Sequence, residues 1–240
     1  MTPVVWLDPH NAQQPFPDPA WALDEPNGLL AVGGCLSPER LLCAYSNGIF
    51  PWYDNATPIC WWSPNPRTVL YPERLKVSRS LRKIIRSRRY TVSLDQAFTA
   101  VIKACSAPRP QTDATWIVPE MRSAYRRLHQ LGFAHSVETW QDGQLVGGLY
   151  GVALGRMFFG ESMFSQASDA SKVALACLCA HLRRWRFPVI DCQLPTDHLY
   201  RLGAEDVSRQ HFLQLLKACH EPQSPTPHVW PIDPDWACDY

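Results

Sequence analysis

The run LVGGLYGVALGRMFFGESMF (145–164), continued by SQASDASKVALACLCAHLRRW (165–185) and FPVIDCQ (187–193), decides the fold. Glycines at 147, 148, 151, 155 and 160 argue against a continuous helix over its first twenty residues. Val146, Leu149, Val152 and Leu154 suit strand, so the spacing predicts two strands turned at Gly155-Arg156. Ser168 and Asp169 are helix-start residues, and Val173, Leu175, Leu178 and Leu182 follow at helical spacing. FPVIDCQ then returns to strand. Strand, strand, helix, strand implies a crossover that brings the ends of both flanking strands to one edge of a sheet. Glu161 and Asp191 sit near those ends, where α/β proteins place chemistry.

Outward from that run the chain divides by composition. Twelve of its 22 prolines fall in the first 72 residues, five between 73 and 221, and five from 222 to 234; five of ten tryptophans lie before residue 63. A Pro-rich, Trp-rich segment is too apolar for disorder and packs as a small domain with little regular structure. The expected organisation is a small N-terminal domain (1–62), a regular large domain (63–221) and an extended tail (222–240). In the first part, Ser37 is an N-cap, Pro38 opens a helix and Gly48 closes it. Strands are expected at 69–71, 90–95 and 135–140, with an Asp142-Gly143 hairpin turn leading back into Leu145. Helices are expected from Asp95 to residue 105, over 119–131 and over 210–219. The order is α+β, with antiparallel hairpins feeding a helical crossover and a parallel return strand.

Net charge is +1, so no global basic field advertises nucleic acid. Locally, SRSLRKIIRSRR places Arg79, Arg82, Lys83, Arg86, Arg88 and Arg89 on one helix with no acid among them. A solvated face is the ordinary reading of a charge run. Exposed helices normally mix signs, however, and this self-repelling set suits a polyanion such as a phosphate backbone. The nine cysteines include no Cys-x-x-Cys and no zinc-finger spacing. No basic-plus-apolar leader pattern is present, and the longest apolar run is too short to span a bilayer. The expectation is a reduced, cytoplasmic protein with no membrane association, no metal and no cofactor, and a monomer.

Several blocks together resemble the leucyl/phenylalanyl-tRNA–protein transferases: Glu25-Pro26-Asn27-Gly28, Gly48-Ile49-Phe50-Pro51-Trp52, Trp61-Trp62-Ser63-Pro64, Ser78-Arg79-Ser80, Gly160-Glu161-Ser162-Met163-Phe164-Ser165, Ala170-Ser171-Lys172 and Ile190-Asp191-Cys192-Gln193. They occur in the family's order from about Phe16 to Leu216. Cys35 departs from the pattern, standing where the family usually shows Asp. The resemblance implies a GCN5-related acetyltransferase-like large domain without coenzyme A. It also implies transfer of Leu or Phe, less often Met, from aminoacyl-tRNA to the N-terminal Arg or Lys of proteins, marking them for degradation.

The chemistry is attack of an α-amine, with an unperturbed pKa of about 7.7–8.0, on an activated ester. It needs positioning, proton removal and oxyanion stabilisation rather than a covalent intermediate. By resemblance Asp191 orients and polarises the amine, with Gln193 as relay or weak acceptor. Glu161 attracts the cationic acceptor; its structural alternative is a helix-cap partner. Trp52 and Trp116 are stacking candidates for the terminal adenosine, with core packing the rival for both. Leu149, Phe158, Met163 and Ser165 are candidate walls of the aminoacyl side-chain pocket, with core packing equally open. Arg79, Arg82 and Lys83 grip acceptor-stem phosphates.

Three other functions compete. An acetyl-CoA-dependent N-acetyltransferase needs a Gly-rich loop before the crossover helix, and residues 165–172 contain no glycine. A non-catalytic tRNA-binding module leaves the Glu161/Asp191 pairing unexplained. A cysteine hydrolase using Cys192 and His135 rests on residue type alone.

Overall fold

The computed structural model describes residues 4–107, 117–219 and 229–240. Its first part is a four-stranded sheet, ordered β1-β2-β4-β3, built from β1 (Val5–Leu7), β2 (Leu29–Gly33), β3 (Phe50–Pro51) and β4 (Cys60–Trp62). Helix α1 (Pro38–Ser46) starts where expected: Ser37 Oγ accepts the Arg40 N–H, and Gly48 takes the left-handed turn at φ 72°. A Cβ on Gly48 would fall 2.8 Å from Leu213, so the close approach requires glycine as much as the turn does.

The remaining elements are β5 (Arg67–Leu70), α2 (Arg79–Arg86), β6 (Thr91–Leu94), α3 (Phe98–Cys105), α4 (Pro119–Gln130), β7 (Ala134–Gln141), β8 (Gln144–Leu154), β9 (Met157–Ser165), α5 (Ala170–Arg184), β10 (Val189–Gln193), α6 (Asp197–Arg201), β11 (Glu205–Val207) and α7 (Arg209–Cys219). Their strands form one seven-stranded sheet, ordered β11-β5-β10-β9-β8-β7-β6. All its pairs are antiparallel except β9 with β10, the pair joined through α5. The opening stretch therefore folds as expected, with its hairpin turn at Gly155-Arg156. The fold is mixed α/β, with a small N-terminal sheet and a large mixed sheet.

The large sheet separates two cores. On one face Tyr150, Val152 and Phe159 pack with α1, α3, α4 and the N-terminal sheet. On the other, Leu149, Ala153 and Phe158 pack with α5, α2 and the last residues of the chain. This alternation along β8 and β9 is the period-two signature of strands buried on both faces.

Four local expectations change. Asp95 does not start α3; it is buried with φ 57°, and Glu138 of β7 accepts from the free N–H groups of Gln96 and Ala97 instead. Helix α2 ends at Arg86, so Arg88, at φ 52°, and Arg89 lie beyond it. At the start of α5, Asp169 occupies the cap position in the left-handed region without capping, and Ser165 Oγ accepts the Ser171 N–H. The tail is not simply extended: residues 236–239 form a 3-10 turn, and Trp230, Trp236 and Tyr240 are buried against α5.

Candidate active site

Strands β9 and β10 pair over Val189↔Met157, Ile190↔Phe158 and Asp191↔Phe159, and then part. Each strand has a bulge at the parting point. On β9, Tyr150 pairs with Ser162 but Gly151 with Gly160, which leaves Glu161 as the extra residue. On β10, Asp191 pairs with Val69 but Gln193 with Thr68, which leaves Cys192 extra. A bulge re-aims a side chain. These two bring Glu161 and Gln193 together, with Gln193 Nε2 donating to Glu161 Oε1 at 2.8 Å.

Asp191 lies one step behind and is fully buried. Its Oδ1 and Oδ2 take the Arg67 fork, from Nε at 2.8 Å and from Nη2 at 2.6 Å. Arg67 Nη1 also donates to the Gly48 carbonyl, and the guanidinium carbon lies over the Phe50 ring at 4.7 Å and over the Phe212 ring at 4.4 Å. Asp191 Oδ1 also accepts the Gln193 N–H at 2.9 Å. That bond helps hold Gln193 at φ 65°, a conformation costly for a residue with a Cβ and the kind of strain that collects at functional sites. Arg67 was not singled out in the sequence; the signal available was a cation beginning a buried strand.

Glu161 is enclosed as well. Tyr45 Oη of α1 donates to Oε1 at 2.8 Å, Tyr125 Oη of α4 donates to Oε2 at 2.7 Å, and the two hydroxyls are 2.5 Å apart. Burial raises the carboxyl to about 7 against the pull of these donors, and Asp191 adds to the rise. Burial first, and then the Glu161 charge, also push both phenols well up. The helix-cap alternative for Glu161 therefore fails: it caps nothing, and its partners are three side chains from three other elements.

The other expected residues are dispersed around this centre. Trp52 is 40% exposed at the end of β3, set edge-on to Trp62 at 5.6 Å. The loop after it, with Tyr53, Asp54 and Ile59, joins Glu120 of α4 in lining a cavity of about 430 Å³. Trp116 lies outside the described residues. Leu149 and Phe158 are buried in the α5-side core, Met163 packs partly against that core, and Ser165 is exposed at the end of β9. They share a face with one another but not with the Tyr45 and Tyr125 that surround Glu161. Arg79, Arg82 and Lys83 are exposed on α2, and no salt bridge ties them to a described acid. The hydrolase pair does not form: His135 is bonded to Asp95 and stacked on Trp230 at 3.8 Å, and burial pushes the Cys192 thiol up. Among the described residues no helix is long and apolar enough to cross a membrane.

The model of the leucyl/phenylalanyl-tRNA protein transferase family matches residues 69–217, and the model of its N-terminal domain matches 34–65. Proteins named leucyl/phenylalanyl-tRNA–protein transferase are similar across nearly the whole chain. One from Cellvibrio japonicus is 53% identical, covering 97% of this chain and 98% of its own. One from Azotobacter vinelandii is 60% identical over 84% and 89%. One from Pseudomonas fluorescens is 57% identical over 89% and 94%. Among solved structures, a GCN5-related N-acetyltransferase from Kribbella flavida is similar at 15% identity and a TM-score of 0.36, covering 71% of this chain and 61% of its own. The motifs around Glu161, Asp191 and Gln193 thus lie inside a match that runs through both sheets, and the chain belongs to the leucyl/phenylalanyl-tRNA protein transferase family.

Proposed function

We infer that the protein transfers a leucyl or phenylalanyl group, and less readily a methionyl group, from aminoacyl-tRNA to the N-terminal Arg or Lys of an acceptor protein, marking it for degradation. The observation that carries this reading is the convergence of Glu161 and Gln193 where β9 and β10 part, inside a chain whose relatives are named leucyl/phenylalanyl-tRNA–protein transferase. The neutral α-amine attacks the ester carbonyl, forming the C–N bond. The bond to the ribose oxygen breaks, and a proton from the amine ends on that oxygen. Gln193 is the residue at the amine: with its Nε2 on Glu161, its carbonyl oxygen is free to accept an amine N–H. Asp191 has both oxygens committed to Arg67 and the Gln193 backbone, so it acts by fixing Gln193 rather than by touching the amine. Alignment supplies most of the acceleration, because the ester is already activated.

Trp52 offers a stacking face for the terminal adenosine, and α2 offers cations for acceptor-stem phosphates. Leu149, Phe158, Met163 and Ser165 form the wall for the aminoacyl side chain on the α5 side of the sheet. An apolar wall of this kind excludes charged side chains by desolvation and β-branched ones by shape. The acetyl-CoA alternative is disfavoured where pyrophosphate would sit: the start of α5 carries Asp169, bonded at 2.6 Å to Lys172. The direct test supplies phenylalanyl-tRNA and peptides differing only in their first residue. Transfer to Arg and Lys but not to Ala supports the acceptor assignment, and equal transfer to all three contradicts it.

A further inference from the structure

Three oxygen-to-oxygen contacts link Tyr45, Tyr125 and Glu161: 2.5 Å between the hydroxyls, 2.8 Å from Tyr45 to Oε1 and 2.7 Å from Tyr125 to Oε2. Each contact at this distance needs a hydrogen between its oxygens, since two lone pairs so close repel. The two phenols supply two hydrogens. The third has to be the carboxyl's own. Both phenols donate to the carboxyl when it is ionised; with the carboxyl protonated the Tyr125 contact reverses, so that Oε2–H donates to Tyr125, Tyr125 to Tyr45, and Tyr45 to Oε1. This ring leaves Oε1 able to accept a second bond, and the Gln193 amide is found there.

We propose that Glu161 stands in its acid form within this ring, and that Tyr45 and Tyr125 are positioning residues that fix it there and thereby aim the Gln193 carbonyl oxygen at the incoming amine. A bare carboxylate in this place would pair with the acceptor's ammonium and keep it protonated, whereas the nucleophile has to be the free amine. A neutral ring fixes Gln193 without trapping the acceptor. The surroundings on every side agree. Asp191 of β10 is a like charge that disfavours a second anion, although Arg67 of β5 is paired with it. Tyr150 of β8 faces the carboxyl from the sheet, itself pushed up by burial and by the Glu161 and Cys105 charges.

The positioning role rests on the aminoacyl-transfer reading above, but the protonation state is measured without substrate. Infrared spectra of protein with carbon-13-labelled glutamate side chains, differenced against Glu161→Gln, isolate this one carboxyl. The expected result is an acid carbonyl band at pH 6 that gives way to carboxylate bands above neutral pH. Carboxylate bands alone at pH 6 would overturn the proposal. Tyr45→Phe and Tyr125→Phe should each lower kcat about tenfold to a hundredfold with KM for both substrates nearly unchanged. Unchanged kcat in folded variants would overturn the positioning role even with the acid band present. An acid band in a wild-type protein that transfers nothing would overturn the transfer reading and leave the ring standing.

Discussion

Asp191 and Arg67 illustrate how a buried charge pair constrains experiment. Replacing Asp191 by Ala strands a guanidinium that is only 1% exposed, and breaking such a pair costs about 3–5 kcal/mol. Loss of transfer in Asp191→Ala would then mix misfolding with chemistry. Asp191→Asn keeps the shape and an acceptor for the Gln193 N–H. It should transfer at least about tenfold more slowly while remaining folded by thermal melt; a wild-type rate would remove Asp191 from the site. Glu161 makes a separate prediction through its pH dependence. Its carboxyl is raised in the folded chain from 4.5 to about 7, so between those values the folded state holds a proton that the unfolded state releases. Stability from this group is complete below about pH 4.5 and is lost as pH rises through 7, by about 3 kcal/mol in all. Urea unfolding at pH 5 and pH 8 should show that decline in wild type and a smaller one in Glu161→Gln; parallel declines would contradict the assignment.

At the scale of elements, the two bulges matter most. Gly151 sits opposite the β9 bulge, and a Cβ there would lie 2.2 Å from the Phe159 carbonyl oxygen. Gly151→Ala should destabilise by about 1–3 kcal/mol through overpacking, as read by urea midpoint, and should displace Glu161. The long elements were legible in the sequence because periodicity and caps agree over many residues: β8, β9, α5 and the Ser37-capped α1 fall where expected. Strands β1 and β2 were missed because they are three and five residues long, too short for a periodic signal. The site was legible only in part. Motifs pointed to Glu161, Asp191 and Gln193, but Tyr45, Tyr125 and Arg67 come from 36 to 124 residues away from their partners in sequence and meet them only through the fold. Asp95 misled because an acid before a helical pattern reads as a cap, whereas its carboxylate serves His135, Ser136 and Trp230. On α2, neutralising Arg79, Arg82 and Lys83 together should lower tRNA affinity and reduce the slope of log affinity against log salt by about two to three. An unchanged slope would return that face to solvent.

For the whole molecule, the site is an assembly of both sheets and both cores. Arg67 ties the large sheet to the carbonyl of Gly48 after α1, and Tyr45 reaches Glu161 from α1 itself, so packing of the N-terminal part is a condition of the site's geometry. The chain's last residues brace the opposite face: Trp230 donates its N–H to Asp95 and stacks on His135, and Asp239 pairs with Arg183 and Arg184. On the proposed function, this assembly aligns a charged tRNA's ester with a basic N-terminus. Alignment of this kind is read out by incubating radiolabelled leucyl-tRNA with a peptide beginning with Arg, in the absence of coenzyme A. Wild-type protein should place label in the peptide, and Gln193→Ala should place little there. Label that stays on the tRNA with folded wild-type protein would contradict the proposed function.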